Sequence, residues 1–394
     1  MMRHFFWLSS LVLAAAPMLA MAQLSLPEPD LESFCRYGDA FEPGAVTDDF
    51  MWGVTASHVV LPGYELYPDP ADAGQYPGLY PAGELVGFTG SPPALPEGFA
   101  GDFTRLAAQG IEWIRVDFAW ALIEPTRDAP FEFAYFDMIV AEAERAGLGI
   151  IAQLGAGYNG TRPIAPGWTA GLDVVAYTTE LAAYAQATVA RYAEAIDYWA
   201  LENELHLDIA HVLEGSRVQQ WSLPAENRII RTLNAAVREQ DPQASTILTA
   251  VAVPTYLNYL LRLAPQIDYD FVGLYNYPSI AEPRTAGFDG NFCLTSALAR
   301  LVSGGKPVIL LETGFRSEGA PGEGRTLENQ AAFLESAALA AIRAGAVGFF
   351  WYEYLDNPGE PTERQRSSGL VEEDRAPKPS WAAYRQLIEQ FDTR

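Results

Sequence analysis

Eight short apolar runs alternate with longer amphipathic stretches from about residue 49 onward, and this rhythm limits the fold more than any other feature of the chain. A strand covered on both faces reads as a short run of Val, Ile, Leu and aromatic residues. A helix packed on one side repeats its apolar residues every three or four positions. The runs predict strands at Phe50–Thr55, Glu112–Val116, Gly149–Leu154, Ala195–Leu201, Thr246–Ala250, Phe271–Leu274, Val308–Leu311 and Ala346–Trp351. Helices are predicted at Asp102–Gln109, Phe133–Arg145, Val174–Ala193, Ala225–Glu239, Tyr256–Leu263, Leu294–Val302, Leu327–Arg343 and Ser380–Phe391. Gly110, Gly147, Gly304 and Gly345 stand where four of these helices should stop.

Strand–helix units in series predict an α/β fold, a closed parallel (β/α)8 TIM barrel. The competing arrangement is a doubly wound open sheet, which would call for a phosphate-binding fingerprint after its first strand. None is there. Gly155–Gly160 does fit G-x-G-x-x-G after a strand, but Pro163 and Pro166 forbid the helix whose N-terminus would hold the phosphates. The domain plan is a signal peptide over residues 1–22, an N-terminal arm over 23–48 and one barrel domain over 49–394. Long Pro-, Gly- and aromatic-rich segments follow the first, sixth and eighth strands, at Ser57–Gly101, Tyr275–Asn291 and Glu353–Pro379. Helix-to-strand returns are tight. In a barrel the strand-to-helix loops share one face, where active sites form, so the chain has enlarged that face.

The first residues carry an export pattern. Arg3 and His4 precede an apolar stretch from Phe5 to about Leu19, and Ala20-Met21-Ala22 offers a cleavage site before Gln23. This predicts a secreted or periplasmic protein; the competing reading is an uncleaved anchor. No later segment is apolar and long enough to span a bilayer, so no stable membrane insertion is expected after cleavage. In an oxidising compartment Cys35 and Cys293 have two alternatives, a single disulfide tying the arm to the body or two buried thiols. The formal net charge of −25 repels phosphate backbones and argues against nucleic acid as a partner.

Two of the apolar runs break onto a glutamate. YWALENELH, Tyr198 to His206, delivers Glu202, Asn203 and Glu204 at the end of the fourth strand. VILLETGF, Val308 to Phe315, delivers Glu312 at the end of the seventh, and Gly314 is read as letting the backbone turn away. A buried strand does not end on a bare carboxylate without a partner or a task. Either glutamate alone fits a salt-bridged strand end. Together, at two strand ends that open on one face, they suggest a pair acting on one bond. Retaining glycoside cleavage requires two carboxyl groups about 5–5.5 Å apart, one to attack and one to protonate the leaving oxygen.

The motifs resemble those of the clan A glycoside hydrolases, the retaining (β/α)8 enzymes that include cellulase-like and β-xylosidase-like families. The similarity runs over about residues 49–391. It implies that Glu204 is the acid/base and Glu312 the nucleophile, and that Asn203 holds a sugar hydroxyl. In GIEWIRVDFAWALIEP, Gly110–Pro125, Arg115 matches the arginine that supports the nucleophile. In DFVGLYNYPS, Asp270–Ser279, Tyr277 matches the tyrosine that hydrogen-bonds it. In GFFWYEYLD, Gly348–Asp356, Trp351 matches the tryptophan under the sugar ring, with a non-prolyl cis peptide at that residue. The chain departs from the pattern at Leu205, where many members have Pro, and at Tyr275, where several have His. Both departures bear on substrate rather than reaction type.

A secreted retaining β-glycoside hydrolase with a carbohydrate substrate and no cofactor is the reading this supports. A carbohydrate-binding barrel without turnover and a transglycosylase using the same pair are the alternatives. Arg115 has a plainer reading as partner to any core acid, and Tyr277 and Trp351 as packing aromatics. Trp52, Trp120, Trp168 and Trp221 are further candidates to stack on sugar rings. His206 and His211 lack metal-ligand spacing, no HExxH occurs, and no metal is expected. There is no G-x-S-x-G elbow. Asn159-Gly160-Thr161 is a glycosylation sequon by pattern.

Overall fold

In the computed structural model the apolar runs pair side by side until the last meets the first. The structure describes residues 49–56, 98–155, 158–159, 162–163, 165–169, 172–205, 223–252, 256–277, 288–319, 324–356 and 366–391. The segments read as signal peptide and arm lie outside these residues, as do Trp221, His206 and His211 and most of the long loops after the first and sixth strands. The barrel strands are β1 (Met51–Thr55), β2 (Trp113–Asp117), β3 (Gly149–Leu154), β4 (Tyr198–Leu201), β5 (Ser245–Val251), β6 (Phe271–Tyr275), β7 (Val308–Thr313) and β8 (Gly348–Trp351). Each pairs in parallel with its sequence neighbours, and β8 closes on β1 through Trp52 opposite Phe349.

The helices are α1 (Phe99–Ala108), α2 (Ala134–Ala146), α3 (Val174–Tyr192), α4 (Leu223–Gln240), α5 (Tyr256–Leu263), α6 (Phe288–Val302), α7 (Leu327–Arg343) and α8 (Pro379–Phe391). Each follows its strand, which completes the (β/α)8 order and excludes the open sheet. Local chemistry fixes several ends. Asp173 caps α3 by accepting from the Val175 and Ala176 amides, and Thr326 caps α7 through the Asn329 amide. All four glycines read as helix stops have positive φ. After the Gly155 turn the described residues hold a two-stranded ribbon, Tyr158–Asn159 with Arg162–Pro163, and a single 3-10 turn, Gly167–Thr169, before α3 starts at Val174.

Period-two alternation sorts each strand between two cores. Outward residues such as Trp52, Val54, Ile114, Val116, Phe349 and Trp351 join the large core between barrel and helices. Met51, Ile151, Ala200, Ile247, Ile309, Leu311 and Phe350 fill the barrel itself. The interior is a packed plug, so large residues need small ones opposite. A Cβ on Gly53 would sit 2.2 Å from the Phe350 ring. Helix α8 covers the closing seam. Its Tyr384 packs edge-on against Trp52 and Phe349 and donates to the Gly53 carbonyl at 2.7 Å. Cys293, on α6, is disulfide-bonded; Cys35 is the only other cysteine in the sequence and lies outside the described residues.

Candidate active site

Arg115 stands at the centre of the barrel's C-terminal mouth. It is an inward position of β2, two residues beyond Trp113, and only 1% exposed. A guanidinium at that depth needs partners on every edge. Nη1 donates to Glu312 Oε2. Nε donates to Gln153 Oε1 at 3.0 Å, and Nη2 to Asn203 Oδ1 at 2.7 Å. Asp117 Oδ1 lies farther off, 3.5 Å from Nη2. The Tyr275 ring lies 4.9 Å from the guanidinium carbon. Burial pulls the Arg115 pKa down, but Tyr275, Glu312 and Asp117 more than offset this, and the net shift is upward. Arg115 is a fixed cation.

Strict alternation would have sent Glu312 the wrong way. Ile309 and Leu311 both point into the barrel, which would turn Glu312 out toward the helices. Instead the register slips on both sides of β7. Tyr275 of β6 pairs with Glu312 although Leu274 pairs with Leu310, and Trp351 pairs with Thr313 although Phe349 pairs with Leu310. This irregularity re-aims the carboxylate into the mouth, a common use of a bulge beside a site. There Tyr277 donates its hydroxyl to Oε1 while Arg115 holds Oε2. Gly314 serves here by close approach rather than by a sharp turn. A Cβ on it would lie 2.3 Å from the Tyr352 carbonyl oxygen, so glycine lets the β8 end fold against the β7 end.

The ENE segment divides its three polar residues. Glu202 and Glu204 both adopt left-handed backbone, with φ of 61° and 51°. For non-glycine residues this costs about 1–2 kcal/mol each, and such positions gather at functional sites. Glu202 is buried against Gly155, away from the mouth. Asn203 turns its carbonyl to Arg115, which leaves its amide nitrogen on the other side. Glu204 is partly exposed. The negative charges of Glu312 and Glu204 both bear on Tyr275 and Tyr277. Burial first, and then these charges, push both phenols well above their ordinary range, against the lowering effect of Arg115 on Tyr275. Both phenols are therefore hydrogen-bond donors at working pH.

The structure thus gathers Arg115, Asn203, Tyr277 and Glu312 by direct bonds and brings the Glu204 charge to the same tyrosines. Trp351 does not join them. It faces the helix layer, fully buried, 6.1 Å from Phe333 and donating to the Ser368 carbonyl at 3.0 Å. With Phe350 pointing inward, alternation sends Trp351 outward. The cis peptide joins Tyr352 to Glu353, one residue beyond the expected place. Tyr352, not Trp351, lies near enough to Tyr277 to influence its ionisation. Trp52 and Trp120 are likewise core; Trp120 stacks on Tyr184 at 5.4 Å. Trp168 is partly exposed in the loop after β3.

Asp117, Gln153 and Tyr352 belong to the site without having been singled out for it, and Tyr275, noted as a departure from the family pattern, joins them. Asp117 is two residues past Arg115 and so shares its face, and Gln153 interrupts an otherwise apolar strand; both signals were legible. Burial, ahead of the opposing pull of Arg115, raises the Asp117 pKa. Among the described residues, no three His, Cys, Asp or Glu side chains are grouped to hold a metal ion. No described helix is long and apolar enough to cross a membrane.

A (β/α)8 barrel with acidic strand ends at its mouth is the architecture of many glycosidases, and the comparisons with known proteins fall there. A glycoside hydrolase family 42 model, described as beta-galactosidase, matches residues 95–170, from α1 to the segment before α3. A family 1 β-glucosidase from Thermotoga maritima superposes with a TM-score of 0.63 at 15% identity, covering 88% of this chain and 99% of its own. A family 39 glycoside hydrolase from Bacteroides cellulosilyticus WH2 gives 0.59 at 17% identity, over 88% of this chain and 66% of that one. An exo-β-1,4-mannosidase from Opitutaceae bacterium strain TAV5 gives 0.58 at 18%, over 75% of this chain and 55% of that one. A search of curated protein sequences finds no match. The resemblance to the clan A (β/α)8 glycoside hydrolases therefore rests on the family model and the fold as well as on the motifs.

Proposed function

We propose that the protein is a retaining β-glycoside hydrolase in which Glu312 attacks the anomeric carbon and Glu204 protonates the departing oxygen. One observation carries this reading. The two oxygens of Glu312 are held by different donors, Arg115 and Tyr277, so the carboxylate is oriented and aimed into the mouth. In the first step a bond forms between a Glu312 oxygen and the anomeric carbon while the bond to the leaving oxygen breaks. Glu204 gives that oxygen its proton. In the second step Glu204, now a carboxylate, takes a proton from water, and the water oxygen displaces Glu312. The Asn203 amide nitrogen, free of Arg115, suits a hydrogen bond to the sugar's 2-hydroxyl. The strong negative charge favours neutral glycans, and the N-terminal pattern of residues 1–22 supports export.

A screen of aryl β-glycosides and polysaccharides tests the reading. Release of sugar from at least one substrate is expected. Glu312→Ala and Glu204→Ala should each lower turnover by about three orders of magnitude or more while remaining folded by circular dichroism. Azide should restore glycosyl transfer in both, giving α-glycosyl azide with the first variant and β-glycosyl azide with the second. Full activity in either variant would remove the assignment.

A further inference from the structure

We infer that Gln153 is a positioning residue for Glu312, acting through Arg115, and that it is a neutral amide so that Arg115 directs its charge to Glu312. This rests on the reading of Glu312 as the attacking carboxylate. Gln153 is fully buried on the inner face of β3, one inward position above Ile151. A polar side chain in a packed barrel is retained only where its bonds repay desolvation. Its Oε1 accepts from three donors: Arg115 Nε at 3.0 Å, Arg115 Nη2, and the Tyr275 hydroxyl at 3.0 Å. Nε and Nη2 form the edge of a guanidinium that a carboxylate ordinarily grips with two oxygens. Here one amide oxygen takes that edge.

The effect is geometric. With the Nε–Nη2 edge pinned and the Tyr275 ring against the guanidinium, the plane of Arg115 is set and Nη1 is left facing Glu312. The Gln153 amide nitrogen has no hydrogen-bond partner among the described residues. That end of the amide is sacrificed so that the oxygen can face Arg115, since the reverse orientation would place N–H against N–H. The effect is also electrostatic. Glu312 and Asp117 already lean on this one cation. A carboxylate at position 153 would be the third, and it would draw Arg115 away from Glu312 while adding negative charge beside it. Tyr275 completes the device from across the barrel, on β6, by bonding the same oxygen.

The test compares wild type with Gln153→Glu and Gln153→Leu. The acidic limb of the kcat/KM profile reports ionisation of the free enzyme's attacking group. Gln153→Glu should move that limb upward by about one pH unit. Gln153→Leu should lower kcat by about 10- to 100-fold with a smaller change in KM. A plain packing residue would change thermal stability and leave the limb where it was; an unmoved limb in a folded Gln153→Glu variant overturns the inference. A readout independent of turnover is solvent exchange of the Arg115 Nε–H, assigned by its absence in Arg115→Lys. Exchange should be at least about tenfold faster in Gln153→Leu. Unchanged exchange overturns the inference. If wild type hydrolyses no glycoside yet exchange accelerates as expected, the hold of Gln153 on Arg115 stands and the hydrolase reading alone falls.

Discussion

At the scale of single residues, one buried cation organises the mouth of the barrel. Arg115 joins β2, β3, β4 and β7 through Gln153, Asn203 and Glu312, so its loss is felt in both stability and chemistry. Arg115→Met should destabilise the protein by about 3–5 kcal/mol, because Glu312 and Asp117 would remain buried without a counter-charge. Arg115→Lys should cost less, since the charge survives, yet lose most activity because one ammonium cannot serve the fork. Urea denaturation alongside kcat/KM would check this. Equal stability losses in the two variants would show that packing, not charge, governs the position. The sequence made Arg115 legible because an arginine inside an apolar strand demands an acid, and Glu312 is that acid. Trp351 was misleading for the same local reason: residue type suggested a sugar platform, but facing depends on register, and Phe350 had already taken the inward position.

At the scale of elements, strands and helices were legible almost throughout. Gly149–Leu154, Tyr256–Leu263 and Leu327–Arg343 have their predicted bounds, and the other elements differ at one or both ends. Periodicity carries that information because each strand and helix must bury one pattern. The irregularity in β7 was not legible. It depends on how β7 meets both neighbours, and the string VILLET reads as regular strand. Asp137 of α2 accepts from Arg191 and Tyr192 of α3, and Arg191, as the largest cause, holds the Asp137 carboxyl below its ordinary value. A depressed folded-state pKa contributes stability above the unfolded value of about 3.9 and loses it as pH falls through the folded one. The side chains are 45% and 38% exposed, so solvent screening keeps the contribution small. Arg191→Met should cost at most about 1 kcal/mol at pH 7, with the difference from wild type shrinking as pH falls below the unfolded value. A constant difference across that range would mean the ion pair is not its source.

At the scale of the whole molecule, the barrel brings the ends of β2, β4, β6 and β7 to one mouth. Residues separated by nearly 200 positions, Arg115 and Glu312, meet there. Fold and mouth could be read from the order of strand–helix units and from acids at strand ends. Asp117 and Gln153 carry local signals in the sequence, but their partners, like that of Tyr352, are set only once distant strands stand side by side. In the proposed reaction Glu312 is the group that attacks. A 2-deoxy-2-fluoro glycoside of the sugar found by screening would trap the covalent intermediate, and peptide mapping by mass spectrometry would locate it. One adduct per chain is expected, on Glu312, absent from Glu312→Ala. An adduct on Glu204 or Asp117, or turnover that inverts the anomeric centre without any adduct, would contradict it.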